Sequence, residues 1–201
     1  MIEAILIDLD GVLRHWPEDH VASVEADFGL TSGTIPKMAF SPDLIELAIR
    51  GEIPDEEWRA RVAARLQEVH PSLDCQAIVD AWSEPSGEVD RDVLALMQVC
   101  RAGAAVTLVT NATSRLPKDL DRLGLSKAFD HVVNSSEVGV TKPEAEIFEH
   151  ALRVSGAAAS TALFVDDKVS NVEGAEKVGM TSHLFVSVEG LRGFLGDHGV
   201  S

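Results

Sequence analysis

The sequence predicts an α/β fold: a parallel sheet with helices on both faces, and a helical segment inserted after the first strand. Three observations carry this. Met1-Ile2-Glu3-Ala4-Ile5-Leu6-Ile7 is an apolar run typical of a buried parallel strand, and it stops at Asp8-Leu9-Asp10-Gly11-Val12. Residues 14 to about 86 read as helices without a convincing strand. From about residue 88 the pattern alternates helix and strand, which means a parallel sheet covered on both faces.

Within the insertion, Ser41-Pro42-Asp43 is a helix start, with a cap residue and a proline in the first turn. Leu44, Ile45, Leu47, Ala48 and Ile49 carry its apolar face and Gly51 stops it. Pro54-Asp55-Glu56-Glu57 opens a second helix with acids at its positive end, and Trp58, Val62, Leu66 and Val69 recur at helical spacing before Pro71. Beyond the insertion, Val89 to Arg101 is amphipathic and Ala105 to Thr110 is a β-branched strand. A helix bearing Leu116, Leu120 and Leu123 ends at Gly124, and His131-Val132-Val133 is a short strand. Glu144 to Val154 is helical, and Ala162 to Asp166 is a strand. Asn171 to Val178 is a helix closed by Gly179, and Ser182 to Val186 is the last strand.

Composition narrows the function. Seventeen Lys and Arg against 33 Asp and Glu give a formal charge of −16, which disfavours nucleic acid and anionic membrane as partners. An anionic substrate stays compatible, because a metal and a local cation reverse the field within one cleft. Cys75 and Cys100 form no metal-ligand spacing and no disulfide framework, so a reduced, cytoplasmic setting is expected. The N-terminus lacks a basic region ahead of its apolar stretch and does not read as a signal peptide.

In an open α/β sheet, ligands bind beyond the carboxyl ends of the strands. Four polar groups fall there: Asp8/Asp10, Thr110-Asn111, Lys142-Pro143 and Asp166-Asp167. Side chains two apart on a strand share a face, so Asp8 and Asp10 point toward one cleft, where a hard cation would relieve their repulsion. Asp8, the backbone carbonyl of Asp10 and the Asp166/Asp167 pair make an oxygen-only ligand set of the kind Mg²⁺ prefers. Thr110, Asn111 and Lys142 supply donors and positive charge for phosphate oxygens. Asp8 is then the candidate nucleophile toward phosphorus, and Asp10 the candidate acid and base. A Ca²⁺ loop would need further acids, and Val12 falls where one is required.

These motifs, in this order and followed by Asn171, Ala175 and Gly179, resemble the haloacid dehalogenase superfamily over essentially the whole chain. The resemblance implies a Rossmann-like core of residues 1–13 and 87–201, and a small helical cap of residues 14–86. It also implies an aspartyl-phosphate on Asp8 and a need for Mg²⁺. Dehalogenases of the superfamily generally lack the second aspartate, so Asp10 favours phosphoryl transfer. Arg50-Gly51-Glu52-Ile53 and Lys142 to Phe148 are similar to the branch of bacterial sugar-phosphate phosphatases. The expected partner is therefore a small phosphorylated metabolite, a sugar phosphate first, acted on by a monomer or homodimer. A phosphomutase, a 2-haloacid dehalogenase and a non-catalytic phospho-accepting domain are the alternatives.

Softer features have ordinary readings. Arg14, His15 and Trp16 follow the nucleophile loop and suit a substrate contact or a packing role equally. Trp58 and Trp82 read as core of the insertion rather than as a sugar platform. His20, His70, His131, His150, His183 and His198 show no ligand spacing.

Overall fold

The computed structural model describes residues 1–200. Five parallel strands form the central sheet: β1 (Ala4–Ile7), β4 (Ala105–Thr110), β5 (His131–Asn134), β6 (Ala162–Asp166) and β7 (Thr181–Leu184), in the order β5-β4-β1-β6-β7. A separate two-residue ribbon pairs β2 (Arg14–His15) with β3 (Glu88–Val89). The strand alternation is visible in the packing of β1. Ile5 and Ile7 face one core cluster with Leu163, Val165 and Met97, whereas Ala4 and Leu6 face another with Phe148 and Phe164.

Helices α6 (Arg91–Cys100), α7 (Leu116–Arg122) and α11 (Val188–Asp197) cover the first face; α9 (Ala145–Ser155) and α10 (Val169–Lys177) cover the second. The short α8 (Ser135–Val138) follows β5. Because β4 lies on one side of β1 and β6 on the other, the strand order reverses at β1, and a crevice opens at its carboxyl end. This is the Rossmann-like α/β architecture.

The insertion consists of α1 (His20–Asp27), α2 (Thr34–Ala39), α3 (Pro42–Ile49), α4 (Asp55–Val69) and α5 (Cys75–Ser83). These helices bury a cluster of their own, with Leu44, Trp58, Val62, Leu66 and Ile78 at its centre. Asp55, Glu56 and Glu57 fill the first turn of α4, where the helix dipole favours negative charge.

Arg14–His15 is a strand inside the segment read as helical, and α10 begins at Val169 rather than Asn171. Three further differences from the sequence reading have a clear local reason. Ser41 precedes α3, but its hydroxyl donates to the Met38 carbonyl (3.1 Å) and accepts from Arg65 (2.6 Å), so no side-chain cap forms. Helix α6 starts two residues later than expected, because Val89 belongs to the ribbon and Asp90 caps the helix. The last strand begins at Thr181 and ends at Leu184, because it pairs along Leu163–Asp166 of β6.

Two attachments hold the insertion over the sheet. The ribbon carries the chain out and back, braced by Asp90 N–H to the Leu13 carbonyl (2.8 Å). On the opposite side, the turn after α3 docks on the core. Ser135 Oγ donates to the Ile49 carbonyl (2.6 Å) and Ser114 Oγ accepts from Asp55 N–H (2.9 Å). Arg50 forks onto Glu144 at 2.5 and 3.2 Å and also reaches Thr141 Oγ1. Gly51 fits because its φ is +71° and a Cβ there would lie 1.9 Å from the Ser136 carbonyl oxygen.

The Arg50 guanidinium, with Thr141, lowers the Glu144 carboxyl from its ordinary 4.5 to about 2. A depressed acid adds stability that is complete above 4.5 and is lost as pH falls toward 2. The expected outcome is that wild type exceeds Glu144→Gln in urea midpoint at pH 6, and that the gap closes as pH is lowered through that window. The pair is partly exposed, so the gap is modest and shrinks with added salt.

Candidate active site

The carboxyl ends of β1, β4 and β6 bring the polar groups together. Asp8 follows β1 directly, and its Oδ1 accepts from Leu9 N–H (2.7 Å) and sits 2.7 Å from Lys142 Nζ. Among the described residues both contacts fall on Oδ1, which leaves Oδ2 as the atom open to an electrophile. Asp166 ends β6, and its Oδ2 accepts from the same Lys142 Nζ at 2.6 Å. Asn171 and the Lys168 N–H supply three further hydrogen bonds to the Asp166 carboxylate. Asp8, Lys142 and Asp166 are all buried.

Charge balance decides the protonation of this centre. Burial pushes the Asp8 carboxyl up to about 6; Lys142 opposes the rise and Asp166 adds to it. Burial alone would lower Lys142, but the two carboxylates outweigh it and the ammonium is held charged. The Asp167 carboxyl is raised as well, first by burial and then by Asp166.

Oxygens of Asp8, Asp166 and Asp167 lie within 4.8 Å of one another. Three carboxylates so placed form the hard-oxygen donor set that suits Mg²⁺, and a bound cation would remove their mutual repulsion. Gly11 allows the arrangement, since a Cβ on it would lie 2.1 Å from Asp167 Oδ2.

The remaining sequence-predicted residues take different positions. Thr110 ends β4, buried, beside Asn134 of β5. The Asn111 side chain is engaged in the protein: its Nδ2 donates to the Lys142 carbonyl (2.9 Å) and its Oδ1 accepts from Lys142 N–H (2.8 Å). That leaves the Asn111 backbone, of the two donors considered, to face a ligand. Asp10 stands apart from the carboxylate trio. Its side chain takes a two-pronged contact from Arg14 (2.7 and 2.8 Å) and a third bond from Trp16 Nε1 (2.8 Å).

Arg14 is the functional neighbour that the sequence left undecided. It is only 4% exposed and reaches both Asp10 and Asp119 (3.3 Å), while Trp16 lies against its guanidinium at 4.6 Å. Its one legible signal is proximity in sequence to Asp10; Asp119 arrives from α7 and gave none. His15 is exposed and points to Asp90 at 3.5 Å.

A sheet with strand-end carboxylates, a buried lysine and an inserted helical layer defines a class of α/β hydrolases. A family model described as haloacid dehalogenase-like hydrolase matches residues 2–179, and the chain belongs to that family. It is 35% identical over 183 residues to a sesquiterpene phosphatase of Aspergillus oryzae, covering 89% of this chain and 87% of that protein. It is 26% identical over 192 residues to a drimenol cyclase of Aspergillus calidoustus, and 34% identical over 102 residues to a pyrimidine 5'-nucleotidase of Escherichia coli. The matches cover 92% and 50% of this chain, but only 34% of the cyclase and 43% of the nucleotidase. Among solved structures, a haloacid dehalogenase family enzyme of Bacteroides thetaiotaomicron, in complex with magnesium and inorganic phosphate, superposes with a TM-score of 0.74. It is 22% identical, over 91% of this chain and 93% of that one, a likeness of fold.

Asn111→Ala is expected to destabilise the protein by about 1–3 kcal/mol, because the Lys142 backbone loses two partners close to the buried centre. Urea denaturation of the variant against wild type measures it.

Proposed function

We propose that this chain is a Mg²⁺-dependent phosphomonoesterase that forms an aspartyl-phosphate on Asp8. The observation that carries the reading is the buried Asp8–Lys142–Asp166 centre with Asp167 beside it. It combines a nucleophilic oxygen, a fixed positive charge and a hard-cation site at one strand end. The phosphatase among the relatives and the magnesium and phosphate in the Bacteroides structure support the same chemistry.

In this reading Asp8 Oδ2 attacks phosphorus and the bond to the ester oxygen breaks. Asp10 is the proposed acid and base: once its carboxylate exchanges the Arg14 and Trp16 contacts for a proton, it gives that proton to the departing oxygen, then takes one from the water that attacks the aspartyl-phosphate. Inorganic phosphate leaves and Asp8 is restored. Lys142 holds Asp8 in line and offsets the charge of the incoming phosphoryl group, with Thr110 and the Asn111 backbone as further donors. Asp8, Asp166, Asp167 and the Asp10 carbonyl are the residues that would hold Mg²⁺, which supplies neutralisation of charge between carboxylate and phosphate. Arg14 and Trp16 hold the Asp10 carboxylate in this structure.

Residues 1–13 and 87–201 are the catalytic core in this account, and residues 14–86 the cap that closes over the ester and excludes water. A cytoplasmic location belongs to the same reading: Cys75 and Cys100 are both buried and free, in different hydrophobic clusters. Among the described residues no helix is long and apolar enough to cross a membrane. Sugar phosphates enter as candidate substrates through the motif resemblance of Arg50–Ile53 and Lys142–Phe148.

The test is phosphate release from a panel of phosphate monoesters, with Mg²⁺ and with EDTA. Metal-dependent release is expected, together with a loss of at least about a thousandfold in kcat for Asp8→Asn in a protein that still unfolds cooperatively. Undiminished turnover in that variant would falsify the mechanism.

A further inference from the structure

We propose that the ester hydrolysed is that of an apolar alcohol, whose hydrocarbon part lies in the cavity between the insertion and the core. The proposal rests on the phosphomonoesterase reading above and names its leaving group. The cavity measures about 360 Å³, within the range of small-molecule sites. Asp10 and Asn111, the chain neighbours of Leu9 and Thr110 beside the Asp8 centre, line it, so the cavity adjoins that centre on the side of the proposed acid. An ester attacked at Asp8 and protonated from Asp10 would extend its carbon part into this space.

The wall is aromatic and aliphatic. Phe40, Trp58 and Trp82 meet one another with ring centroids 5.7 to 6.1 Å apart, and Val21, Ile45 and Ile49 continue the surface. Phe40 is 54% exposed and Trp16 is 46% exposed, so the cavity holds large apolar faces toward solvent. An apolar surface of this kind, beside a reacting centre, is stabilised by covering it with hydrocarbon.

Most polar side chains of the wall are committed elsewhere. Arg59 forms an ion pair with Asp55 at 2.8 Å, although Arg59 Nε and Asp55 Oδ2 lack hydrogen-bonding geometry. Arg115 bonds Asp119 (2.8 Å) and the Ser83 carbonyl, and His20 Nε2 lies 2.9 Å from the Trp82 carbonyl oxygen. Arg14 is held by Asp10 and Asp119. A sugar would bring several hydroxyls that lose water and find most of their natural partners already engaged, with Asp55 Oδ2 and Arg59 Nε as the exceptions. A hydrocarbon gains about fourfold in binding for each methylene it buries. The aromatic trio therefore serves as a substrate wall as well as core of the insertion. It favours an apolar leaving group over the sugar expected from sequence resemblance.

The experiment compares kcat/KM for methyl, butyl, hexyl and octyl phosphate, below micellar concentrations, with glucose 1-phosphate and glyceraldehyde 3-phosphate, all at saturating Mg²⁺. The expected result is a rise of about fourfold per added methylene until the cavity is full, with octyl phosphate about a hundredfold or more above either sugar ester. Phosphate release that is flat with chain length, or fastest from a sugar ester, overturns this inference and leaves the phosphomonoesterase reading standing. Release from none of the esters overturns both. Phe40→Ser, whose exposure makes misfolding a small risk and whose fold circular dichroism checks, is expected to lower the octyl-to-methyl ratio about tenfold. An unchanged ratio in the folded variant contradicts placement of the chain against this wall.

Discussion

The ammonium of Lys142, held between Asp8 and Asp166, is the interaction on which the site depends. Two carboxylates at the ends of neighbouring buried strands would repel one another, and an ammonium buried alone would lose its proton or the fold. Together they are tolerable, provided each remaining polar atom is satisfied. Asn171 and the Lys168 N–H satisfy Asp166, Leu9 N–H satisfies Asp8, and Asn111 fixes the lysine's own backbone. The core's strand order delivers these groups, because β1 lies between β4 and β6 and its end is where the sheet reverses direction.

A second network places the insertion relative to that centre. Arg14 belongs to the β2–β3 ribbon yet ties Asp10 to Asp119 of α7, so ribbon, candidate acid and core share one cation. Across the cavity, Arg50, Gly51 and Asp55 lock the turn after α3 to loops of the core. Both anchors tie the insertion to the core, and the first of them includes Asp10. Several polar groups of the cavity wall, Asp10, Arg14, Asp55 and Asp119, are consumed in these anchors, and Phe40, Trp58, Trp82 and the neighbouring aliphatic side chains form the apolar part of its surface.

Legibility in the sequence followed locality. Strands β1, β4 and β6 are continuous apolar runs, and each ends in a chemistry-bearing residue, so the sheet and its strand-end groups could be placed from the letters alone. Helices α3 and α4 declared themselves through a proline, acids and periodic apolar residues. The β2–β3 ribbon could not be read, because two residues carry no alternation and the partner strand lies beyond the whole insertion. The partners of Asp10 were half visible: Arg14 and Trp16 stood near it in the chain, but the choice between substrate contact and structural support depended on Asp119. The aromatic trio was hidden for the same reason. Trp58 and Trp82 suited a buried core by periodicity, and only folding shows that Phe40 joins them and that the three face the cavity. The Asn111 side chain, a plausible ligand donor from its position after β4, is spent on Lys142 through a contact that sequence spacing cannot reveal.

The central claim is that Asp8 becomes phosphorylated in the course of turnover. The most direct measurement is rapid acid quench of the Mg²⁺-loaded protein mixed with a hydrolysed ester, followed by peptide mass spectrometry. The account predicts a phosphoryl group on the peptide containing Asp8, appearing before steady-state phosphate release and absent from the Asp8→Asn variant. Phosphate release with no adduct on Asp8 at any quench time, or an adduct on another residue, would contradict it.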